Sequence, residues 1–367
     1  MKPTLVYFNS DCFTDTDVTV LRYLSNEFQV VWFYLYESLF ANEMRYSPLI
    51  AKDYADKYGI TLEVVDPKVR RRSPKNLYFY WKIARKINSY KPDIVYCCSI
   101  FPFWMLTYRV LKCKKKVFGV HDAVRHSYKK NRALQWMNNQ KEKWFKRFDL
   151  LLTFSPSQHK LLKEAHGYES EMVGMSFKSF GVSDKIPPSI ENGVKLLFFG
   201  SIHLYKGLDL LIEAMEKLRK EGVNNLTLTI AGKGPSWDDC KLLIKTEKMY
   251  DLQVRFIKNE EIPDLMNTHH FLVLPYRNVT QSGPLVTALG YGLPVIAPEL
   301  GSFLDYFDNS TAILYFQGTL KESLRRVSTI TQREYEAIRN NLAKVREVYT
   351  EERIAQNYIR AFKSILE

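Results

Sequence analysis

The stretch LLFFGSIHLYKGLDLLIEA (196–214) is an apolar run that stops at Gly200, crosses a short polar turn and resumes at helical spacing. One cation stands in that turn, Lys206, with Ser201 and His203 before it. Open α/β sheets bind ligands outside the carboxyl ends of their strands, and this turn is such an end. Gly200 would let backbone approach a ligand closely, Lys206 would bring a mobile positive charge, and Ser201 and His203 would add hydrogen bonds. Taken alone, a lysine in a polar turn is more often solvated than bound.

A second stretch shifts that balance. PYRNVTQSGPLVTALGYGLPVIAPELGS (275–302) reads as a strand end, a polar loop, a helix with Pro284 in its first turn, a stop at Gly290 and Gly292, and another strand. Thr280 or Ser282 can cap this helix, Gln281 lies between them, and Gly283 leaves the first amides uncovered. Uncovered amides at the positive end of a helix dipole make a phosphate site; the plainer alternative is an ordinary capped helix. Two such turns at neighbouring strand ends favour the anion site. In the first half, HDAVRHS (121–127) follows the strand-like KKVFGV and holds His121, Asp122 and His126. Imidazole beside carboxylate at a strand end is general-base chemistry, weighed against a histidine satisfied within the fold. The adjacent His269 and His270 are not read as a metal pair, because neighbours on a strand point to opposite faces.

Strands must position these turns. Short runs rich in β-branched and aromatic residues recur at 3–8, 29–36, 60–65, 93–99, 115–121 and 150–155, separated by helical patterns such as VTVLRYLSNEF and NLYFYWKIARKINSY. Such alternation predicts a parallel sheet covered by helices. It repeats in the second half, with strands expected at 195–200, 226–232, 253–257, 270–276 and 293–298. Between the halves, FKSFGVSDKIPPSIENG (177–193) has the composition of a linker. The expected fold class is therefore α/β, with two Rossmann-like domains facing a central cleft. The first spans residues 1–180 with 350–367 crossing back to it, and the second spans 190–349. Only four of the 16 glycines precede residue 180, and the first βα turn, FNSDCFTDTD, lacks Gly-x-Gly-x-x-Gly, so phosphate binding is expected in the second half.

Charge divides the halves as sharply. All of the net +13 lies in residues 1–180, which carry 30 Lys and Arg against 17 Asp and Glu, while the rest of the chain carries 23 of each. The excess gathers in KVRRRSPK (68–75), KCKKK (112–116) and KKNRALQWMNNQKEKWFKRF (129–148), the last interleaving Trp136, Trp144, Phe145 and Phe148 with lysines. An anionic membrane surface suits this pattern about as well as another polyanion does, and a solvated basic face is the plain interpretation of any single run. No uncharged apolar run approaches the roughly 18 residues of a membrane span, and the start MKPTLVYFNSDCF is strand-like, so a cytoplasmic location is expected. Five cysteines without a Cys-x-x-Cys pair indicate reduced thiols.

FFGSIHLYKGLDLLIEA, IAGKGP (230–235), EEIPDLMNTHHFLVLPY and TQSGPLVTALGYGLPVIAPELGS occur in that order and resemble the donor-domain motifs of glycosyltransferase family 4, of GT-B architecture. The resemblance covers most of the second half. It implies a transferase whose C-terminal domain holds a nucleoside diphosphate sugar and whose N-terminal domain holds the acceptor. That acceptor would be an oligosaccharide or lipid-linked glycan of bacterial surface polysaccharide synthesis, with the enzyme peripheral at the inner face of the cytoplasmic membrane. The resemblance further implies that no metal or other cofactor is needed and that Lys206 meets the diphosphate. Gly200, Ser201, His203, Thr280, Gln281, Ser282 and Gly283 would line the same donor site, and His121 and Asp122 would be catalytic. The family suggests retention of configuration, and inversion stays open.

The opening loop SDCFTDTD (10–17) then borders the acceptor, with Asp15, Asp17 and His126 on that side. Asp15-Thr16-Asp17 imitates a metal-binding Asp-x-Asp but starts a helix and reads better as N-terminal capping. Two positions depart from the family. The usual arginine after the strand-end glycine is Ser201, with His203 or Arg277 as candidate stand-ins. The Glu-x7-Glu signature falls on Val279 and Thr287, and a TQSG loop takes its place, as in a subset of bacterial polysaccharide enzymes. The missing glutamates motivate an alternative, a non-catalytic subunit that binds glycan or nucleotide. Nucleic acid, raised by charge alone, is not an expected partner.

Overall fold

The computed structural model describes residues 2–39, 46–70, 73–98, 102–123 and 144–367. The chain forms two compact units, Met1–Ser176 with Glu351–Glu367, and Phe177–Thr350. In the first, β1 (Thr4–Ser10), β2 (Gln29–Leu35), β3 (Thr61–Val65), β4 (Ile94–Cys97), β5 (Lys115–Val120), β6 (Leu150–Thr153) and β7 (Glu171–Met172) lie in the order β3-β2-β1-β4-β5-β6-β7. In the second, β8 (Val194–Phe199), β9 (Leu226–Ala231), β10 (Tyr250–Gln253), β11 (Phe271–Val273), β12 (Val295–Pro298) and β13 (Ile313–Tyr315) lie in the order β10-β9-β8-β11-β12-β13. The pairings are parallel in both sheets.

Parallel strands need crossovers, and helices supply them, so both faces of each sheet are covered and the central strands are continuously apolar. Leu5 to Phe8, Val30 to Leu35 and Leu196 to Phe199 are all buried. Each strand order reverses beside the first strand of its unit, between β1 and β4 and between β8 and β11. That reversal opens the crevice in which such sheets take ligands. The last helix, Glu351–Ser364, belongs to the first unit. There Tyr358 and Phe362 pack on Tyr96 with ring centroids 6.2 and 5.7 Å apart, and Glu351 pairs with Arg22 at 2.5 Å.

Three local expectations change. The strand expected at 253–257 lies at Tyr250–Gln253, because β10 is a sheet edge whose side chains are half or fully exposed and carry no core pattern, while Ile257 is buried beyond it. β7 and β13 were unforeseen, being two and three residues long. The segment read as a linker begins by running along the helix Gly283–Tyr291. Lys178 N–H donates to Val286 O (3.1 Å), Phe180 N–H to the Tyr291 hydroxyl (2.8 Å), and that hydroxyl to Gly181 O (3.0 Å).

No disulfide joins the five cysteines, and burial pushes the Cys97 thiol up to about 12 and those of Cys113 and Cys240 to about 11, which keeps them protonated. Among the described residues no helix is long and apolar enough to cross a membrane, and no three His, Cys, Asp or Glu side chains gather as metal ligands.

Candidate functional site

β8 ends at Gly200, whose φ of +112° only glycine adopts easily. A Cβ built there would stand 3.2 Å from Pro284 Cγ and 3.4 Å from Lys206 Nζ. Gly200 therefore lies between the first turn of the 283–291 helix and the Lys206 ammonium, and the two turns singled out in sequence meet. Lys206 is only 6% exposed, with Nζ 5.5 Å from the centroid of the Tyr276 ring, so it is not a solvated charge. The next helix, Leu208–Lys220, can start only because Gly207 has no side chain: a Cβ there would come within 1.9 Å of Pro275 O. The IAGKGP turn closes in from β9, with Ile202 N–H donating to Lys233 O at 2.9 Å.

Ser282 caps the 283–291 helix, its Oγ accepting from Leu285 N–H at 3.3 Å and lying 3.3 Å from the Tyr276 hydroxyl. Pro284 brings no N–H, and Ser282 Oγ and O take those of Leu285 and Val286, so the Gly283 amide is what this turn leaves for a ligand. The expected row of uncovered amides is thus reduced to one, and lysines make up the positive charge. Lys178, passed over in sequence, is 8% exposed, and its Nζ stands 3.9 Å from where a Cβ on Gly283 would be. Two buried ammonium groups and the positive end of a helix converge on one strand-end turn, an arrangement that an anion stabilises. Thr280 is buried beside them and Ser201 is exposed. The Gln281 amide has both Nε2 and Oε1 buried with no hydrogen-bond partner among the described residues. Leaving such groups unpaired costs about 1–3 kcal/mol each, which a bound ligand can offset.

Neither proposed stand-in for the missing arginine supplies a free cation. His203 is exposed, yet partial burial and the Lys206 charge lower its pKa below the ordinary histidine value, so it is a neutral hydrogen-bonding group near pH 7. Arg277 grips Asp209 through Nη1 at 2.8 Å and Nη2 at 2.6 Å, and Nη1 also donates to Leu204 O at 2.7 Å. Burial raises the Asp209 pKa, but the Arg277 hydrogen bonds and charge outweigh it and hold the carboxyl below its usual range. Arg277 is therefore a brace for the 204–206 turn. Val279 and Thr287, where signature glutamates would fall, are buried, and Thr287 Oγ1 donates to Gly283 O inside the helix at 3.0 Å. His269 and His270 do face opposite ways. The first reaches Thr229 Oγ1 (2.8 Å), while the second accepts from Lys195 N–H at Nδ1 (2.9 Å) and donates from Nε2 to Pro188 O (2.8 Å).

In the first unit His121 follows β5, its ring stacked between Phe13 (centroids 4.5 Å apart, 22°) and Phe154 (4.3 Å, 25°). Phe13 comes from the turn after β1 and Phe154 from the residue after β6, so three strand ends build one stack at the carboxyl edge of the sheet. The two rings fix the imidazole plane. Asp122 beside it is exposed, and Gln158 Oε1 and the His166 ring tie down Ala123 at 2.9 and 3.0 Å. His126 lies outside the described residues. Asp15 is half-buried in the first turn of the helix Thr14–Glu27. Asp17, expected on the acceptor side, is turned into the unit instead: it is 3% exposed, and its Oδ1 accepts from the Tyr7 hydroxyl and Asn9 Nδ2, both at 2.8 Å. No side chain caps this helix at Phe13, which corrects the capping expectation; the two aspartates suit its dipole by charge.

Concavity by itself does not mark the site. A cavity of about 570 Å³ lined by Lys195, Thr227, Thr229, Asp251 and His269 lies toward the amino ends of β8 and β9, away from Gly200 and Lys206.

A family model described as Glycosyl transferases group 1 matches residues 193–330, and one described as Glycosyltransferase Family 4 matches residues 20–173. Over 108 residues the chain is 29% identical to a GDP-mannose:glycolipid 4-beta-D-mannosyltransferase of Xanthomonas campestris pv. campestris, covering 28% of this chain and 30% of that one. It is 28% identical over 143 residues to a 2-deoxystreptamine glucosyltransferase of Streptomyces kanamyceticus, covering 38% of this chain and 37% of the other. The chain thus spans about a third of the length of the curated relatives it matches. Among solved structures, Anabaena Alr3699/HepE in complex with UDP and glucose is similar with a TM-score of 0.74 and 15% identity, over 98% of this chain and 100% of that one. That likeness shows the fold, which is GT-B.

Proposed function

The chain belongs to the glycosyltransferases, with a Family 4 region ahead of a group 1 region, and on that premise we propose that it transfers a sugar from a nucleoside diphosphate sugar to a glycan or lipid-linked acceptor. The observation that carries this is the meeting of Lys206, Lys178 and the start of the 283–291 helix at the reversal point of the second sheet. A sugar leaving its nucleotide hands negative charge to the diphosphate. Fixed cations and an amide already aimed at that charge lower the barrier, because they need no reorganisation as it develops. On this reading Lys206 and Lys178 flank the diphosphate, the Gly283 amide and the Gln281 side chain bond to it, and neutral His203 donates a further hydrogen bond. The lysines then do the work of a divalent cation, and the reaction is expected to run without one.

His121 is the acceptor-side group. With its plane held by Phe13 and Phe154, it takes the proton of the attacking hydroxyl in an inverting reaction, or holds a donor-sugar hydroxyl in a retaining one. Asp122, one residue on, would tune it by its charge. A lipid-linked acceptor of surface polysaccharide synthesis, met at the inner face of the cytoplasmic membrane, is supported by the glycolipid named for the Xanthomonas relative and by the basic first unit.

A panel of UDP- and GDP-sugars offered with lipid-linked and water-soluble saccharides, read by mass spectrometry, tests the proposal. The expected result is an acceptor heavier by one sugar with wild type and not with Lys206→Ala. Rejection follows if no donor is transferred or hydrolysed, or if the two proteins act equally. The anomeric configuration of the product, read by NMR, assigns the role of His121.

A further inference from the structure

The helix Lys75–Ser89 buries Asn76, Tyr80, Ile83, Ala84 and Ile87 and turns its other side outward. That outer side is aromatic and basic. Leu77, Tyr78 and Trp81 are 45, 60 and 38% exposed, and the helix carries four cations and no carboxylate. Rings and cations form one plate: Tyr78 and Trp81 stack with centroids 5.9 Å apart at 19°, Lys82 Nζ lies 4.6 Å from the Tyr78 centroid, and Arg85 Cζ lies 4.9 Å from that of Trp81.

Two asparagines on the helix extend the plate at both ends. Asn76 Nδ2 donates to Arg70 O at 2.9 Å, which fixes the exposed Arg70 at the helix start. Asn88 Nδ2 donates to Val110 O at 2.8 Å, and its Oδ1 accepts from Lys112 N–H at 2.7 Å, which sets the exposed Arg109, Val110 and Lys112 beside the helix end. Two basic runs far apart in sequence are thus held at the two ends of one helix. Glu63 of β3 is already neutralised there by Lys86 at 2.5 Å.

We propose that this helix, flanked by Arg70 and the 109–112 segment, docks flat on an anionic lipid bilayer. Trp and Tyr settle at headgroup depth, Leu77 and Val110 enter the acyl boundary, and the long cations meet lipid phosphates. A merely solvated basic face has no need of four large apolar side chains turned outward. Single-stranded nucleic acid fits less well, because bases stack on open rings and here Lys82 and Arg85 already cover them. The purpose of the docking, delivery of a lipid-linked acceptor, rests on the transferase reading; the surface itself does not.

Co-sedimentation of the full chain with phosphatidylglycerol–phosphatidylcholine vesicles tests the surface. Wild type is expected to sediment with these and not with phosphatidylcholine alone. The double change Lys82→Glu and Arg85→Glu is expected to weaken binding about tenfold or more, as is Tyr78→Ser with Trp81→Ser. Calorimetric binding of UDP or GDP is expected to be unchanged in both, so a failed donor site is told apart from a failed docking surface. Variants that sediment like wild type, equal binding to neutral vesicles, or a single-stranded oligonucleotide that displaces the anionic ones would each overturn the proposal.

Discussion

The two sheets share one strand order through their first six strands, yet their carboxyl ends carry opposite chemistry. In the second unit, glycine after β8, two buried lysines and a helix start make a cationic strand-end turn. In the first, two phenyl rings hold one imidazole at the ends of β1, β5 and β6. Topology decides where a site falls, and the strand-end residues decide what it does. Glycine usage fits the proposed site: backbone would come close to a diphosphate in one unit, while the other fills its strand ends with rings.

The contrast is broken most strongly at Lys206. Lys206→Ala is expected to lower kcat/KM about 10³-fold with the best donor, the scale on which a lost charge-stabilising donor is felt. His121→Asn comes next, with kcat down about 10²-fold, as for loss of a positioned acid–base group. Its affinity for nucleoside diphosphate, read by calorimetry, should match wild type if, as proposed, the second unit holds the diphosphate. Lys178→Met is expected to weaken UDP or GDP binding roughly tenfold, with Lys178→Arg restoring much of it, as a charge-assisted contact of about 1.5 kcal/mol would require. Removing divalent ions with EDTA should leave the rate unchanged.

The smallest effect is on stability. Burial lowers the pKa of both His269 and His270, so the unfolded chain binds more protons than the folded one once pH falls through the ordinary histidine value near 6.5. Stability present above that value is lost below it. Thermal melts should show a lower midpoint at pH 5.5 than at pH 7.5, and His270→Gln should narrow the difference.

Much of the site was legible because βα turns follow local rules. An apolar run ending at Gly200, a lysine before Gly207 and a Ser-Gly-Pro helix start all announce themselves within a few residues. What stayed hidden depends on distant pairing. Lys178 lies in a segment whose composition says linker, and its place is set by Val286 and by Tyr291, a hydroxyl 111 residues beyond Phe180. Arg277 looked available until Asp209, 68 residues earlier in the chain, claimed both its terminal nitrogens, Nη1 and Nη2. Asp17 could have been caught, since Val20, Leu21 and Leu24 put it on the buried stripe of its helix. The Phe13–His121–Phe154 stack had no sequence signal, because three separate strand ends meet there.

Calorimetric titration of UDP and GDP into wild type, Lys206→Ala and Ser201→Ala tests the central claim most directly. The account predicts saturable binding of at least one nucleoside diphosphate by wild type and by Ser201→Ala, and at least about tenfold weaker binding by Lys206→Ala. Equal affinity in wild type and Lys206→Ala would contradict it.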